Sequence, residues 1–412
     1  MKNLIEDNLN KEQLTEAASI KSVLRLISEG TVQNNFTEKE KQKDFQNKVQ
    51  DNVPLDGIND KLSIIGSKEV LDSFNKIKLH KYDQIISVKD IGQVEFYRDT
   101  STSKYEIKVD INSDEGEHAY TAKTIYNGSE DFLDKIFKIN KFANFSLELG
   151  AEDMVKSNLD IVKSKEPEKT FRFRLIEYEG EAYLRAVVTS DRYKLYDNNI
   201  VLYIALAMME NYSVQRHEKF YVDKFNITDS KMNLTLISSE KKKLSGNISI
   251  STGVNISNSE ISDGSVRFNF VYKINDGKHH VSAISKEILK IDHGWKSDKI
   301  TGELKKLDGL NELTDGVINA VRNASLNHKV TEQVLFTIFR DLSGSTSQLL
   351  TGYKDKFEAL KNNIDVVDNT ISIFKLFSLL DGVVKDDVSA RLFIESKFNK
   401  YIDQLGRLNE LG

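Results

Sequence analysis

The chain has 412 residues, which is enough for two or three domains. Its composition, with 39% hydrophobic and 29% charged residues, is typical of a globular protein. The formal net charge of −5 argues against binding duplex DNA by bulk charge alone, although a local basic groove is compatible with it. The absence of cysteine excludes disulfides, thiolate catalysis and every metal site built on cysteine.

No targeting or membrane segment is expected. The polar start "MKNLIEDNLNKEQ" has no apolar core of a signal peptide, and the longest apolar run, residues 200–209, is about half the length of a membrane-spanning helix. These features predict a protein that stays inside the cell and makes no contact with a membrane.

The first 60 residues predict a helix followed by a linker. Residues 11–29 place Leu14, Ala17, Leu24 and Ile27 on one helical face, with Gly30 as the C-cap. Residues 31–57 are polar and charged and include Pro54, a composition typical of a linker.

Residues 61–300 predict an α+β core that is rich in antiparallel β-hairpins. Apolar and polar residues alternate in "QVEFYRD" and "KYEIKVDIN", and again in "TFRFRLIEYEG" and "EAYLRAVVTSD", where the turn falls at Gly180. The second hairpin would carry Arg172 and Arg174 on one face and Phe171 and Phe173 on the other. Four further runs between residues 220 and 275 also predict strands.

Helices are predicted in two places around these strands. Within the core, residues 130–142 predict a short helix, and residues 199–212 are apolar almost all round, which indicates a buried helix capped by Asp197 or Asn198. Residues 301–412 carry several segments with helical spacing of apolar residues and predict a mostly helical C-terminal domain.

The stretch "TSDRYK" concentrates polar side chains between a predicted strand and the buried helix. Ser190, Asp191, Arg192 and Tyr193 could form a ligand-binding turn, because arginine suits phosphate and tyrosine stacks on bases. They could equally form a corner set by a buried ion pair. We favour the corner, in which Asp191 and Arg192 hold the turn in place and Tyr193 and Lys194 are partly exposed.

Basic and aromatic residues are interleaved along several predicted strands and the corner. Strands that alternate arginine with aromatics can form a platform for single-stranded nucleic acid, although a solvated sheet face carries the same pattern. The candidate residues are Arg172, Arg174, Arg185, Arg192, Tyr193, Lys194, Arg267 and Trp295.

Catalytic signatures are missing from the sequence. It contains no phosphate-binding P-loop, dinucleotide fingerprint, zincin motif or nucleophile elbow. Asp276, Asp292 and His293 are weak candidates for a metal site, but their spacing fits no standard set of ligands. We therefore expect no cofactor and no catalytic residue, and keep a metal-dependent nuclease as an alternative.

Three ordered segments resemble one family of phage- and plasmid-borne proteins, that of domain of unknown function 932. They are "LRAVVTSDRYKLYDN", "TGVNISNSEISDGSVRFNFVYKINDG" and "KIDHGW". The chain departs from the family pattern at Asn275, Asp276 and Gly277, where the family has a Thr-Asn-Gly turn. The resemblance implies a mobile-element origin and a place in the cytoplasm of a bacterial host or in a virion, without a settled activity.

Together these patterns predict a homo-oligomer that binds single-stranded DNA, with annealing as one activity. By broad analogy, the core also resembles the single-strand annealing recombinases of phages. The alternative is a structural or assembly component of a phage that works by self-association.

Overall fold

The chain is an α+β protein with two mixed β-sheets and a helical C-terminal region. This computed structural model describes residues 3–33, 36–55, 60–98, 105–112, 118–189, 193–261, 264–277, 280–294, 302–303, 305–327, 332–345, 348–362, 370–385 and 387–408. The predicted fold class is confirmed.

The first sheet has nine described strands. They are β1 (Glu6–Asn10), β2 (Ala17–Ser19), β4 (Lys61–Ile65), β11 (Phe220–Thr228), β12 (Lys231–Ser238), β13 (Lys242–Ser245), β14 (Ile248–Ser259), β15 (Val266–Asn275) and β16 (His280–Ile291). Seven of them follow the order β16-β15-β14-β12-β11-β4-β2, while β1 pairs with β11 and β13 pairs with β14. The pairs are antiparallel except β4 with β11, which is parallel.

The second sheet has seven described strands: β3 (Val32–Gln33), β5 (His80–Ser87), β6 (Ile91–Arg98), β7 (Tyr105–Asn112), β8 (His118–Thr124), β9 (Thr170–Tyr178) and β10 (Glu181–Thr189). Their order in the sheet is β3-β5-β9-β10-β8-β7-β6. Both predicted hairpins are confirmed, since β6 pairs antiparallel with β7 and β9 with β10. Gly180 makes the second turn at φ 78°, a conformation that favours glycine.

Helix α7 (Asn198–Arg216) is buried on nearly every side, as its sequence predicts. It belongs to the core of the first sheet together with α1 (Ile20–Ser28) and α3 (Ser67–Lys76). The second sheet is covered by α4 (Gly128–Asp131), α5 (Asn140–Glu148) and α6 (Glu152–Lys165). A helical segment was predicted at 130–142, whereas α6 was not.

The N-terminal region differs from its prediction. The helix predicted over residues 11–29 occupies only α1, which begins after Ser19, where the side-chain oxygen of Ser19 accepts from the backbone N–H of Ser22. The predicted linker is wrong: its central part is helix α2 (Phe36–Asn52), which packs Phe45 and Val49 into the core. These two buried residues lie one helical turn apart and face the core, while most of the helix is polar.

The C-terminal helices are confirmed. They are α8 (Leu310–Asn327), α9 (Glu332–Ser343), α10 (Lys354–Asn362), α11 (Thr370–Val383) and α12 (Val388–Leu408). No helix in the described part of the chain is long and apolar enough to cross a membrane.

The hydrophobic cores divide the chain differently from the predicted boundaries at residues 60 and 300. One core gathers residues from Leu14 to Ile402, so the N-terminal region and the C-terminal helices share it with the first sheet. The other runs from Ile86 to Val187 and belongs to the second sheet. We call the part of the protein built on the first sheet and its core the first lobe, and the part built on the second sheet and its core the second lobe. The second lobe is therefore inserted within the sequence of the first.

Candidate functional site

Eight charged side chains gather in the interior where the two sheets approach each other, and we call them the ionic cluster. Strands β5, β9 and β10 of the second sheet supply its cations, and the segments around α2, β5, α7 and β14 supply its carboxylates. The members are Lys81, Arg172, Arg174 and Arg185 with Glu38, Asp83, Asp197 and Glu260.

Arg174 is the centre of the ionic cluster and is fully buried. Its guanidinium donates to Asp197 at 2.7 Å, to Asp83 at 3.3 Å and to the backbone oxygen of Glu260 at 2.7 Å. Asp197 is the N-cap residue of α7, but its side chain makes no capping bond and instead accepts from Arg174 and Thr31. The residue before the buried helix thereby ties that helix to the second sheet.

Glu260 joins the two sheets in the same way. It follows β14 and accepts from Lys81 at 2.9 Å and from Arg185, which both lie on the second sheet. Its other carboxylate oxygen accepts from the backbone N–H of Asn198 at 2.8 Å, at the start of α7. A buried carboxylate with three donors keeps its charge, because each donor stabilises the ionised form.

The pKa values show which charges this arrangement stabilises. Burial alone would raise the pKa of Asp197, but Arg174 and Arg185 hold it well below its ordinary value. Burial would likewise raise the pKa of Glu260, and Lys81 and Arg185 outweigh it, so that pKa is also lowered. Both carboxylates therefore remain ionised at neutral pH.

The prediction that Arg172, Arg174 and Arg185 form an exposed platform is wrong. Their exposed fractions are 3%, 0% and 0%, so none of them can contact a nucleic-acid strand on the surface. Strands β9 and β10 are covered on both faces, which buries the arginine face of β9 as well as its phenylalanine face. These residues hold the two lobes together instead.

Tyr193 and His293 extend the ionic cluster towards the corner before α7. The Tyr193 hydroxyl accepts from Arg174 at 3.1 Å, and its ring stacks on His293 with centroids 4.9 Å apart. His293 is 7% exposed, and burial followed by Arg174 lowers its pKa, so its ring is neutral at neutral pH. The described part of the corner thus connects through Tyr193 to Arg174 and Asp197, and the roles expected of Asp191 and Arg192 stay a prediction because both lie outside the described residues.

Two other predicted nucleic-acid residues, Arg267 and Lys194, are described by the structure, and neither joins the ionic cluster. Arg267 is exposed on β15 and lies 3.4 Å from Glu287, while Lys194 is half-buried and donates its backbone N–H to His293. Ser190, Asp191, Arg192 and Trp295 lie outside the described residues.

Among the three metal candidates, Asp276 is separated from Asp292 and His293 by the length of a strand. Asp276 follows β15, whereas Asp292 and His293 follow the far end of the 12-residue strand β16. At about 3.3 Å per residue that strand spans roughly 35–40 Å, so Asp276 cannot share a metal ion with the other two. Among the described residues, no group of three or more His, Asp and Glu side chains could hold a metal ion.

An open, charged cleft lies between the first sheet and the C-terminal helices, and we call it the basic cleft. Its volume is about 560 Å³. The cleft is lined by segments 10–12, β11, β15, β16, α11 and α12, together with Lys385, two residues after the end of α11. Sequence reasoning missed this site because its charged residues come from segments more than 350 positions apart.

Helices α5 and α6 present an exposed apolar surface, which we call the apolar face. Phe142, Phe145 and Leu149 follow helical spacing along α5 and the residue after it, with exposed fractions of 37%, 61% and 67%. Met154 and Ile161, seven residues apart on α6, are 53% and 57% exposed. Five large apolar side chains are thus exposed within 20 residues, and an apolar patch of this kind can mark an interaction site.

In comparisons with known proteins, no family model, curated protein or solved structure matches the chain.

Proposed function

We propose that the chain works by self-association, as a structural or assembly component of a phage or related mobile element. The observation that carries this proposal is the apolar face of α5 and α6, because exposed patches of large apolar residues mark sites that another protein covers. The mobile-element setting rests on the sequence resemblance to domain of unknown function 932.

The occupant of the apolar face is a second copy of this chain. Exposed Lys141 lies beside the apolar residues near the start of α5, and exposed Glu148 lies on the same flank at its end. When two copies of α5 pair antiparallel about a two-fold axis, the Lys141 end of each lies near the Glu148 end of the other. Charge complementarity of a surface with itself is what a two-fold interface requires.

The size of the apolar face agrees with this occupant. A fully exposed aromatic side chain presents about 150–250 Å², so the five residues together offer on the order of 500 Å² per copy. Two copies would bury about 1,000 Å² between these side chains alone, which reaches the lower limit of specific interfaces before the flanking polar residues are added.

Single-stranded DNA binding by an annealing oligomer is the second candidate. Burial of Arg172, Arg174 and Arg185 removes half of the six cations on which that expectation rested. Exposed Arg267 and half-buried Lys194 are its remaining cations in the described part of the chain. A protein that binds nucleic acid mainly through phosphates needs several such contacts, so the geometry favours self-association.

The test is the mass of the protein in solution at micromolar concentration, measured by light scattering and mass photometry. The wild type should be a dimer or larger, and a Phe145→Asp, Leu149→Asp double variant should be monomeric with an unchanged circular dichroism spectrum. Phe336→Asp is the matched control, because Phe336 is 52% exposed but lies on α9. A wild type that stays monomeric, or a control that dissociates equally, would overturn the proposal.

Charge reversal tests the antiparallel arrangement itself. Lys141→Glu places two acidic groups together at each end of the interface and should weaken association about tenfold, a cost of about 1.4 kcal/mol. Adding Glu148→Lys restores the opposite charges and should restore association. Failure of the double reversal to recover any affinity would contradict the antiparallel pairing.

A further inference from the structure

Strand β6 leaves one edge of the second sheet open. It pairs only with β7 and ends the sheet in the described part of the chain. The other strands that end the two sheet orders are short or covered, since β2 and β3 have three and two residues and β16 contacts helices α11 and α12. A strand of eight residues with an unpaired edge is a template for pairing with another chain.

The backbone groups of β6 point alternately towards β7 and towards the open edge. The backbone N–H of Ile107 on β7 donates to the Thr124 side chain of β8 at 2.7 Å, so it points away from β6. In an antiparallel pair, the residue opposite Ile107, which is Phe96, then directs its own N–H and C=O away from β7. Val94 and Arg98, two positions to either side, do the same. Three residues therefore present backbone donors and acceptors at the open edge.

The first half of β6 is protected against pairing, whereas the second half is not. The register with β7 shifts between Ile91 and Val94, and the Lys163 ammonium of α6 donates to the backbone oxygen of Gly92 at 2.8 Å. A bulge and a lysine are devices by which proteins block a strand edge. Among the described residues, neither device recurs along residues 94–98.

We infer that the open edges of two copies of this chain pair antiparallel along the second half of β6, as a second and weaker contact beside the apolar face. The register that uses all five residues places Phe96 opposite itself on the two-fold axis. Val94 then faces Arg98, and Glu95 faces Tyr97. A shift of two residues that sets Val94 opposite Phe96 would place Glu95 opposite itself, where like charges repel.

This register also brings Arg98 close to an acidic residue of the other copy. Val94 and Asp160 line the same groove between β6 and α6, which has a volume of about 390 Å³. Side chains that face each other across paired strands have Cβ atoms about 4.5–5.5 Å apart, so Arg98 opposite Val94 enters this groove beside Asp160. Arg98 has no carboxylate partner in its own copy among the described residues, and Asp160 is exposed. The pairing therefore matches a cation with an anion at both ends of the contact.

The contact is compatible with the apolar face and weaker than it. On α6, Met154 and Ile161 lie about 140–160° around the helix from Lys156, which lines the β6 groove. Five residues form an edge of only about 17 Å. The pairing thus buries less than the roughly 800 Å² per partner of a standard interface, and we expect a Kd on the order of 100 µM.

The test isolates the β6 contact in the Phe145→Asp, Leu149→Asp variant, whose apolar face is disrupted. Sedimentation equilibrium should show monomers at about 5 µM and about two-thirds of the chains in dimers at about 300 µM. Amide hydrogen exchange in residues 94–98 should then slow about threefold, because only the unpaired third exchanges freely. Adding Phe96→Pro should abolish the dimers, since proline removes the outward N–H without breaking a bond to β7. Phe96→Leu is the matched control, because it keeps that N–H and should dimerise as before.

Charge reversal tests the register. Arg98→Glu should weaken pairing about tenfold, and Asp160→Lys added to it should restore pairing. Circular dichroism spectra of all these variants should match.

Four results would overturn the inference. They are a variant with a disrupted apolar face that stays monomeric at the higher concentration, dimers that persist in Phe96→Pro, dimers that leave the exchange of residues 94–98 unchanged, and an Asp160→Lys substitution that restores no affinity. The mass of the wild type at micromolar concentration has no part in these results. Failure of the β6 contact is therefore distinguishable from failure of self-association through the apolar face.

Discussion

Replacing Arg174 with methionine would test whether the ionic cluster holds the two lobes together. Methionine has a similar length and no charge, so the variant removes the guanidinium without leaving a large cavity. Asp197 and Asp83 then lose a partner at 2.7 and 3.3 Å, in a place that water does not reach. We expect Arg174→Met to destabilise the protein strongly at neutral pH.

The magnitude follows from the burial of the charges that remain. Removing one partner of a buried ion pair costs about 3–5 kcal/mol, because the other charge stays buried without compensation. The cost should depend on pH. In the wild type, Arg174 holds the pKa of Asp197 below its ordinary value, so this contribution to stability is present above the unfolded pKa and is lost as pH falls through the folded pKa.

In the variant, the contribution of Asp197 to stability should change with pH in the opposite direction. Without Arg174, only Arg185 and the Thr31 hydroxyl still oppose the effect of burial, so the pKa of Asp197 should rise above its wild-type value and the carboxyl should bind a proton more readily as the pH falls from 7 towards 4. Protonation removes the uncompensated charge. The stability difference between wild type and variant should therefore shrink as the pH falls from 7 to 4.

The assay is urea denaturation followed by circular dichroism at both pH values. Arg267→Met is the matched control, because Arg267 is also a strand arginine with an acidic neighbour but is exposed. It should change the free energy of unfolding by less than about 0.5 kcal/mol. A cost of Arg174→Met below about 1 kcal/mol at pH 7, or one that is the same at both pH values, would refute the reasoning.

Two further predictions concern the first sheet and the corner before α7. Gly253→Ala should lower the free energy of unfolding, measured in urea, by at least about 3 kcal/mol, because a Cβ there would lie 1.9 Å from the backbone oxygen of Leu236. Gly316→Ala is the control, because its Cβ meets open space on α8 and should leave that free energy undiminished. The melting temperature of the wild type should fall as the pH drops below 6.5, since burial lowers the folded pKa of His293 and the unfolded chain binds its proton more readily. His293→Phe keeps the ring against Tyr193 and should flatten this decline, and an unchanged decline would exclude His293 as its cause.

Local patterns in the sequence predict the hairpins and the buried helix because each depends on neighbouring residues. The strands β6, β7, β9 and β10 follow the alternation of apolar and polar residues, and α7 follows from its continuous apolar run. The linker error at α2 has the opposite origin. Its helix depends on tertiary contacts of Phe45 and Val49 rather than on a pronounced apolar stripe.

The burial of the strand arginines could not be read from β9 and β10. An alternation of arginine and phenylalanine normally indicates a strand with one solvated face. Here that face is buried because carboxylates from distant segments pair with the arginines. Arg174 meets Asp197 from 23 positions away and the backbone of Glu260 from 86 positions away. The basic cleft depends on pairings that are longer still, such as Lys224 with Glu395, 171 positions apart.

The insertion of one lobe within the other has a consequence for synthesis on the ribosome. Strand β1 pairs with β11, from Glu6 with Thr228 to Asn10 with Lys224, and the larger core is complete only with Ile402. The smaller core is complete once β10 has emerged at Thr189. We therefore expect the inserted lobe to fold first, while the N-terminal residues wait for partners translated more than 200 codons later.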